Sequence, residues 1–117
     1  MASVMYGIAN CDTVKKARAW FTERGMPHHF HDYKKQGVTA AHLDRWIDQL
    51  GWEPLLNRKG TTWRKLDDAT RSTSFDAPSA RQLMLAHPSV IKRPVVEWEG
   101  GAITVGFDTA QWPRALP

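Results

Sequence analysis

The chain has 117 residues, a formal net charge of +4, and a composition that is 42% hydrophobic and 24% charged. This length suits one domain with a real core and is short for two, and the composition excludes a disordered chain. No stretch approaches the ~20 apolar residues of a membrane-spanning helix. The basic residues are spread along the chain among acidic ones, so we expect neither a membrane nor a nucleic acid as a direct partner.

The first elements in chain order predict a parallel βαβ unit. Residues 4–8 form a short apolar run, which is typical of a strand covered on both faces. After the turn-forming residues 10–13, apolar side chains recur at helical spacing until Gly25. Residues 28–33 predict a second strand, and a helical crossover makes the two strands parallel.

The middle of the chain predicts helices. Thr39 can cap a helix that ends at Gly51, and apolar residues mark one face between them. Residues 53–76 show a poor pattern and predict short helical turns and loops. Pro78 suits the first turn of a further helix, which Pro88 ends.

The last third predicts a hairpin followed by a short helix. Residues 94–99 and 102–107 are the strands, and the glycines at 100 and 101 permit the positive φ angles of a two-residue turn. Residue 108 or 109 can cap a helix that runs through Trp112. The whole order, βαβ…ββα, predicts an α/β fold with a mixed four-stranded sheet.

Cys11 is the only cysteine in the chain, and it stands where a buried strand turns into a helix. Unpaired N–H groups and the positive end of the helix dipole favour a thiolate at this place. The following residue, Asp12, is interpreted as the cap of the helix. Val14 occupies the position of the second cysteine in a Cys-x-x-Cys pair, so an outside thiol must release Cys11 from any disulfide, and glutathione is the abundant cytosolic candidate.

Two further features bear on compartment and metals. A single cysteine fits a reducing compartment, and the N-terminal segment lacks the charged region of a signal peptide, so we expect a cytoplasmic protein. His28, His29 and His31 place two imidazoles on one strand face without a third ligand at a matching spacing. They are interpreted as surface histidines, and we predict no metal site.

Three segments together resemble the arsenate reductase, Spx and YffB family of thioredoxin-like proteins. They are residues 6–17 (YGIANCDTVKKA), 55–60 (LLNRKG) and 91–96 (IKRPVV), and the resemblance extends from about residue 4 to 107. It implies one thioredoxin-like domain over residues 1–117 with a helical insertion at about 38–90.

The resemblance also implies which residues surround Cys11. In glutaredoxin-coupled arsenate reductases three arginines bind the oxyanion, and Arg58 and Arg93 match two of them. Residues 105–108 (VGFD) hold no counterpart of the third. Pro94 resembles the cis-proline of thioredoxin-like folds, which offers backbone polar groups to a peptide-like ligand.

The run around Asn10 and Cys11 is most similar to the YffB branch, which implies a glutathione-dependent thiol reductase. Cys11 is then the nucleophile, while Asn10, Arg58, Arg93 and Pro94 bind glutathione, the co-substrate. The reductant is glutathione itself or glutaredoxin, and the substrate is a small-molecule or protein disulfide. A glutaredoxin-coupled arsenate reductase and an Spx-like transcription-linked interaction protein are the two alternatives.

Overall fold

The computed structural model describes residues 3–73 and 76–112. The chain divides into two compact units. The first comprises Met1–Gln36 and Arg93–Pro117, and the second is Gly37–Lys92. The second unit therefore begins and ends within two residues of the predicted insertion, whereas a single domain over the whole chain stays a prediction.

The first unit contains a mixed four-stranded sheet in the order β2-β1-β3-β4. Its strands are β1 (Ser3–Gly7), β2 (His28–Asp32), β3 (Val95–Glu97) and β4 (Ile103–Val105). β1 pairs in parallel with β2 and antiparallel with β3, and β3 pairs antiparallel with β4. The predicted α/β class, the parallel βαβ unit and the hairpin are confirmed.

Helix α1 (Asp12–Glu23) is the crossover between β1 and β2. Its apolar face packs on the sheet because Val14, Ala17, Trp20 and Phe21 are all buried. The core of this unit consists of buried residues from the helix, the strands and the C-terminal segment: Met5, Val14, Ala17, Trp20, Phe21, Val96, Trp98 and Trp112.

Gly7 permits the close approach of α1 to β1. A Cβ atom at this position would lie 2.8 Å from Cγ2 of Val14, a distance that real Cβ atoms essentially never show. Val14 is fully buried and its branched side chain has little freedom to move away. The last residue of β1 thus sets how near the first turns of α1 lie to the sheet.

The hairpin differs in one detail from its prediction. Gly100 and Gly101 have φ angles of +105° and +102°, as the glycine pair predicts. The Trp98 N–H donates to the Ala102 carbonyl at 2.8 Å, so residues 99–101 form a loop of three residues rather than two.

The second unit is helical. It contains α3 (Ala40–Leu50), α4 (Thr61–Lys65), α5 (Asp68–Thr73) and α6 (Ala77–Ala86), followed by a 3-10 turn at Pro88–Val90. Thr39 caps α3, as predicted. In the described part of residues 53–76, the poor pattern corresponds to α4, α5 and the loops beside them.

Two other elements complete the description. A short helix, α2 (Tyr33–Gln36), follows β2 directly and was not predicted. The Asp108 side chain accepts hydrogen bonds from the Ala110 and Gln111 N–H groups, as a cap would, and the chain after Trp112 lies outside the described residues. Among the described helices, none is both long and apolar enough to cross a membrane.

Candidate functional site

Cys11 is the N-cap residue of α1, in extended conformation with φ −140° and ψ 124°. Its carbonyl accepts the Lys15 N–H at 2.9 Å, whereas its side chain makes no capping hydrogen bond. The prediction that Asp12 is the cap is wrong, because Asp12 is the first residue inside the helix. The thiol is therefore part exposed beside N–H groups that the N-cap side chain does not occupy.

The register of the sheet brings a second segment to the same edge. Tyr6 lies opposite Val95 in the antiparallel β1–β3 pair, so the residues before Val95 pass the end of β1 that leads to Cys11. The Arg93–Pro94 peptide bond is cis, as the family resemblance implied. Pro94 is buried and its carbonyl accepts the Gly106 N–H at 2.8 Å, which ties this segment to the end of β4.

Arg93 is part exposed and acts electrostatically on Tyr33. Tyr33 follows the last residue of β2 and is 2% exposed. Burial raises the pKa of the Tyr33 hydroxyl strongly, and the positive charge of Arg93 opposes this rise. Arg93 thus contributes positive potential at the edge where β1 and β2 both end.

Asp32 is a functional-site neighbour that the sequence analysis did not identify. Its Oδ1 accepts the Lys34 N–H at 2.8 Å and the Lys35 N–H at 3.3 Å. Burial acts to raise the pKa of this carboxyl, but the backbone N–H groups of Lys34, Lys35 and Ala9 hold it below its usual value. A buried carboxylate that interacts with Ala9, two residues before Cys11, helps to fix the loop that carries the thiol. Its sequence signal is an acidic residue at the end of a predicted strand.

Phe107 lies in the segment 105–108, where arsenate reductases of the family have a third arginine and this chain has none. It is part buried and packs against the same core cluster as Cys11. Its ring contacts Trp112 edge to face, with centroids 4.9 Å apart. This end of β4 therefore presents an aromatic ring rather than a guanidinium group.

Arg58 belongs to the second unit. Its guanidinium carbon lies 5.6 Å from the ring centroid of Trp52 and 6.0 Å from that of Trp63. It lines a pocket of about 310 Å³ together with Asn57, Lys59 and Lys92. The loop is anchored by the bridge between Leu56 and Ile91. Asn10 is exposed in the first unit, and glutathione binding by either residue stays a prediction.

Residues 6–115 match the model of the ArsC family. The chain belongs to the ArsC family. A protein of Haemophilus influenzae without an assigned function is 38% identical over 112 residues, which cover 96% of each chain. These matches confirm the family that the three sequence segments indicated.

Two solved structures extend the comparison. YffB is 48% identical, with a TM-score of 0.91, and the match covers 99% of this chain and all of that one. An arsenate reductase (ArsC) related protein from Brucella melitensis is 54% identical, with a TM-score of 0.74, and the match covers 97% of this chain and 93% of that one. The arsenate-reductase-like, thioredoxin-like fold of this ArsC-family chain is thus established.

The histidines of this ArsC-family chain do not form a cluster. His29 is exposed, as predicted, but His28 packs its ring 4.9 Å from that of Phe21, and His31 lies 4.8 Å from the Tyr6 ring. Over residues 3–73 and 76–112, no three His, Cys, Asp or Glu side chains come close enough together to hold a metal ion.

Proposed function

We propose that this ArsC-family protein is a glutathione-dependent thiol reductase that works by thiol–disulfide exchange through Cys11. One observation carries the proposal: the part-exposed thiol stands at an uncapped helix start, and the first unit brings Arg93 and cis-Pro94 to the same sheet edge. The likeness to YffB over the whole chain supports this choice within the family.

The reaction has two exchange steps. The Cys11 thiolate attacks a disulfide, forms a new S–S bond to one half and expels the other half as a thiolate, which takes up a proton. A thiolate of glutathione then attacks the mixed disulfide, and Cys11 leaves as a thiolate. When the captured half is glutathione, the product of this second step is oxidised glutathione. The net reaction consumes one free glutathione thiol for each substrate thiol released, because the other half of the oxidised glutathione comes from the substrate disulfide.

The chain's own residues have distinct tasks in these steps. The N–H groups and dipole at the start of α1 stabilise Cys11 as attacking and as leaving thiolate. The Arg93 guanidinium binds a carboxylate of glutathione with two parallel hydrogen bonds. The backbone at Pro94 meets the peptide-like part of the ligand. Because Val14 replaces a resolving cysteine, an outside thiol must complete the cycle.

The composition of the site favours this reaction over arsenate reduction. Phe107 stands where a third arginine would hold a small oxyanion, and losing one charge-assisted contact costs about 1.5–3 kcal/mol, or roughly tenfold or more in affinity. We expect arsenate turnover to be at least about tenfold weaker than that of a true arsenate reductase in the same assay. Comparable turnover would reverse the choice.

The direct test is mass spectrometry of the protein incubated with oxidised glutathione. We expect one glutathione adduct, located on Cys11, and none in Cys11→Ser. Turnover of a glutathione mixed disulfide with glutathione alone, and then with added glutaredoxin, identifies the reductant. A protein that forms no adduct and shows no turnover with either reductant would contradict the proposal.

A further inference from the structure

The segment after β4 lies at the same edge of the sheet as the loop to Cys11. β1 and β4 both run antiparallel to β3, which lies between them, so both strands end at the same edge. Strands separated by one other strand are about 10 Å apart. An aromatic side chain on one of them and a disulfide bound at the other can together span this distance. Phe107 is the second residue after β4 and stands at this edge.

Gly106 fixes where Phe107 begins. Its N–H donates to the Pro94 carbonyl at 2.8 Å, and its own carbonyl accepts the Trp112 indole N–H at 3.3 Å. Its φ angle of +83° lies in the left-handed region that favours glycine. The backbone before Phe107 is thus tied on one side to the cis-proline segment and on the other to the core.

The ring itself is supported but not fully covered. It packs edge to face on Trp112, which is fully buried, and against the core cluster that Cys11 also contacts. Both Phe107 and Cys11 keep part of their surface exposed. A rigidly supported, part-exposed aromatic ring offers an apolar surface to a ligand at little conformational cost.

We infer that Phe107 is a specificity-determining residue, and that this protein favours disulfides in which an apolar group stands next to the sulfur that Cys11 attacks. The inference rests on the proposed thiol–disulfide exchange. In the exchange step the ring lies against the apolar half of the substrate. Contact between the ring and the apolar half removes both from water. The protein therefore binds such a disulfide more tightly than a polar disulfide of the same size.

The test uses two mixed disulfides of glutathione, one with benzyl mercaptan and one with cysteine. Each is added to the reduced protein without any other thiol, and mass spectrometry follows the loss of unmodified Cys11. We expect the benzyl reagent to react about tenfold faster than the cysteine reagent, the factor expected from partial burial of a phenyl ring. Phe107→Ala should reduce this ratio to near one, whereas Phe107→Leu should keep most of it.

Phe30→Ala is the matched control. Phe30 is also part buried against the same core cluster, but it lies in the middle of β2, opposite Met5. Phe30→Ala removes a phenyl ring that lies beside Gly7 rather than after β4, so the two rates can change together while their ratio should not. If Phe107→Ala does not fold, Phe107→Gln keeps the bulk while removing the apolar surface, and the same loss of preference is expected.

The possible results separate the two ideas. Equal rates with both reagents in the natural protein, or an unchanged ratio in Phe107→Ala, would overturn this inference and leave the proposed function standing. A Cys11 that reacts with neither reagent would overturn both. Because a single exchange step is measured, the result does not depend on which thiol completes the cycle.

Discussion

The three longest helices that the structure describes begin in two different ways. In α3 the Thr39 hydroxyl accepts the His42 N–H at 3.2 Å, and the His42 ring accepts the Thr39 N–H at 3.1 Å. In α6 the Asp76 carboxylate and the Ser79 hydroxyl form the same reciprocal pair. Cys11 begins α1 and makes no such bond. Two helices of the second unit are therefore closed by capping boxes, and helix α1 of the first unit is open.

Under the proposed function, this difference exchanges helix stability for a group that can react. An N-cap hydrogen bond typically stabilises a helix by about 1 kcal/mol. Helix α1 lacks that contribution and depends on the burial of its apolar face instead. Its first N–H groups stay available to an anion, which is what a reactive thiolate requires. A fold can omit one cap where the rest of the helix is well packed.

The largest expected effect follows from replacing the residue that starts α1. Cys11→Ser should lower reductase turnover by at least roughly a thousandfold, because a serine hydroxyl is a far weaker nucleophile near neutral pH. A glutathione mixed-disulfide assay measures this loss, with Thr39→Ala as a variant of a closed helix start that should keep full turnover. More than a tenth of the original turnover in Cys11→Ser would break the link between the open helix start and activity.

The next effect concerns the cation beside the open helix. Arg93→Ala should weaken glutathione binding by about 10- to 100-fold, since a hydrogen bond to a charged group contributes about 1.5–3 kcal/mol. Arg93→Lys should restore only part of the affinity because lysine lacks the planar guanidinium group. Titration calorimetry measures both, and Arg58→Ala, a change in the second unit, should have a smaller effect. Unchanged affinity in Arg93→Ala would remove this arginine from the site.

Removing the N-cap of α3 should lower the stability of the protein without changing the reactivity of Cys11. Thr39→Ala should lower the free energy of unfolding by about 1 kcal/mol, because it leaves the His42 N–H without its acceptor. Urea denaturation measures the loss. The rate at which iodoacetamide alkylates Cys11 should not change. A slower alkylation in Thr39→Ala would show that the two helix starts are coupled.

The cap of α6 should also open in acid. The hydrogen bonds from Ser79 lower the pKa of the Asp76 carboxyl below its ordinary value of 3.8. A lowered pKa in the folded state means that this cap contributes stability above pH 3.8 and loses it as the pH falls through the folded-state value. The protection of the Ser79 N–H, which is its exchange rate compared with that of an unfolded peptide at the same pH, should therefore fall in that range. Asp76→Asn, which keeps an acceptor that does not titrate, should remove this pH dependence.

The smallest expected effect is a gain. In Cys11→Ser the serine hydroxyl can accept a hydrogen bond from an N–H group of the first turn. The free energy of unfolding should therefore rise by roughly a few tenths of a kcal/mol even though turnover is lost. Thermal denaturation of the two proteins side by side measures the difference. A clear decrease would mean that the packing of the Cys11 side chain outweighs the missing cap.

Local signals predicted most of the fold. Gly25 and Gly51 end helices because glycine readily adopts the positive φ angles found there. Pro88 does so because its ring cannot continue a helix, and both effects are local. The strand order could not be predicted, since it depends on contacts between distant segments. The same holds for Trp112, which stands near the end of the sequence and lies fully buried against the rings of Trp20, Phe21 and Trp98.

In the candidate site too, local patterns could be predicted and contacts between distant segments could not. Cys11 and Pro94 stand in recognisable local patterns, so their roles were proposed from the sequence. The cap of α1 is Cys11, whereas the sequence predicted Asp12. Side-chain preferences do not resolve a difference of one residue at a helix end. The acidic residue at the end of β2 is a local feature of the sequence. Its interaction with Ala9 joins the ends of two parallel strands and could not be predicted from either segment alone.

Gly7 has a consequence for how mutations reach the chemistry. An alanine there would press its methyl group against Val14, and the first turn of α1 would have to move away from the sheet. Cys11 lies three residues before Val14 and would move with that turn. Under the proposed function, the reach of the sulfur toward a disulfide substrate thus depends on a residue that has no side chain. A substitution that leaves every polar group of the site in place can still put the nucleophile out of range.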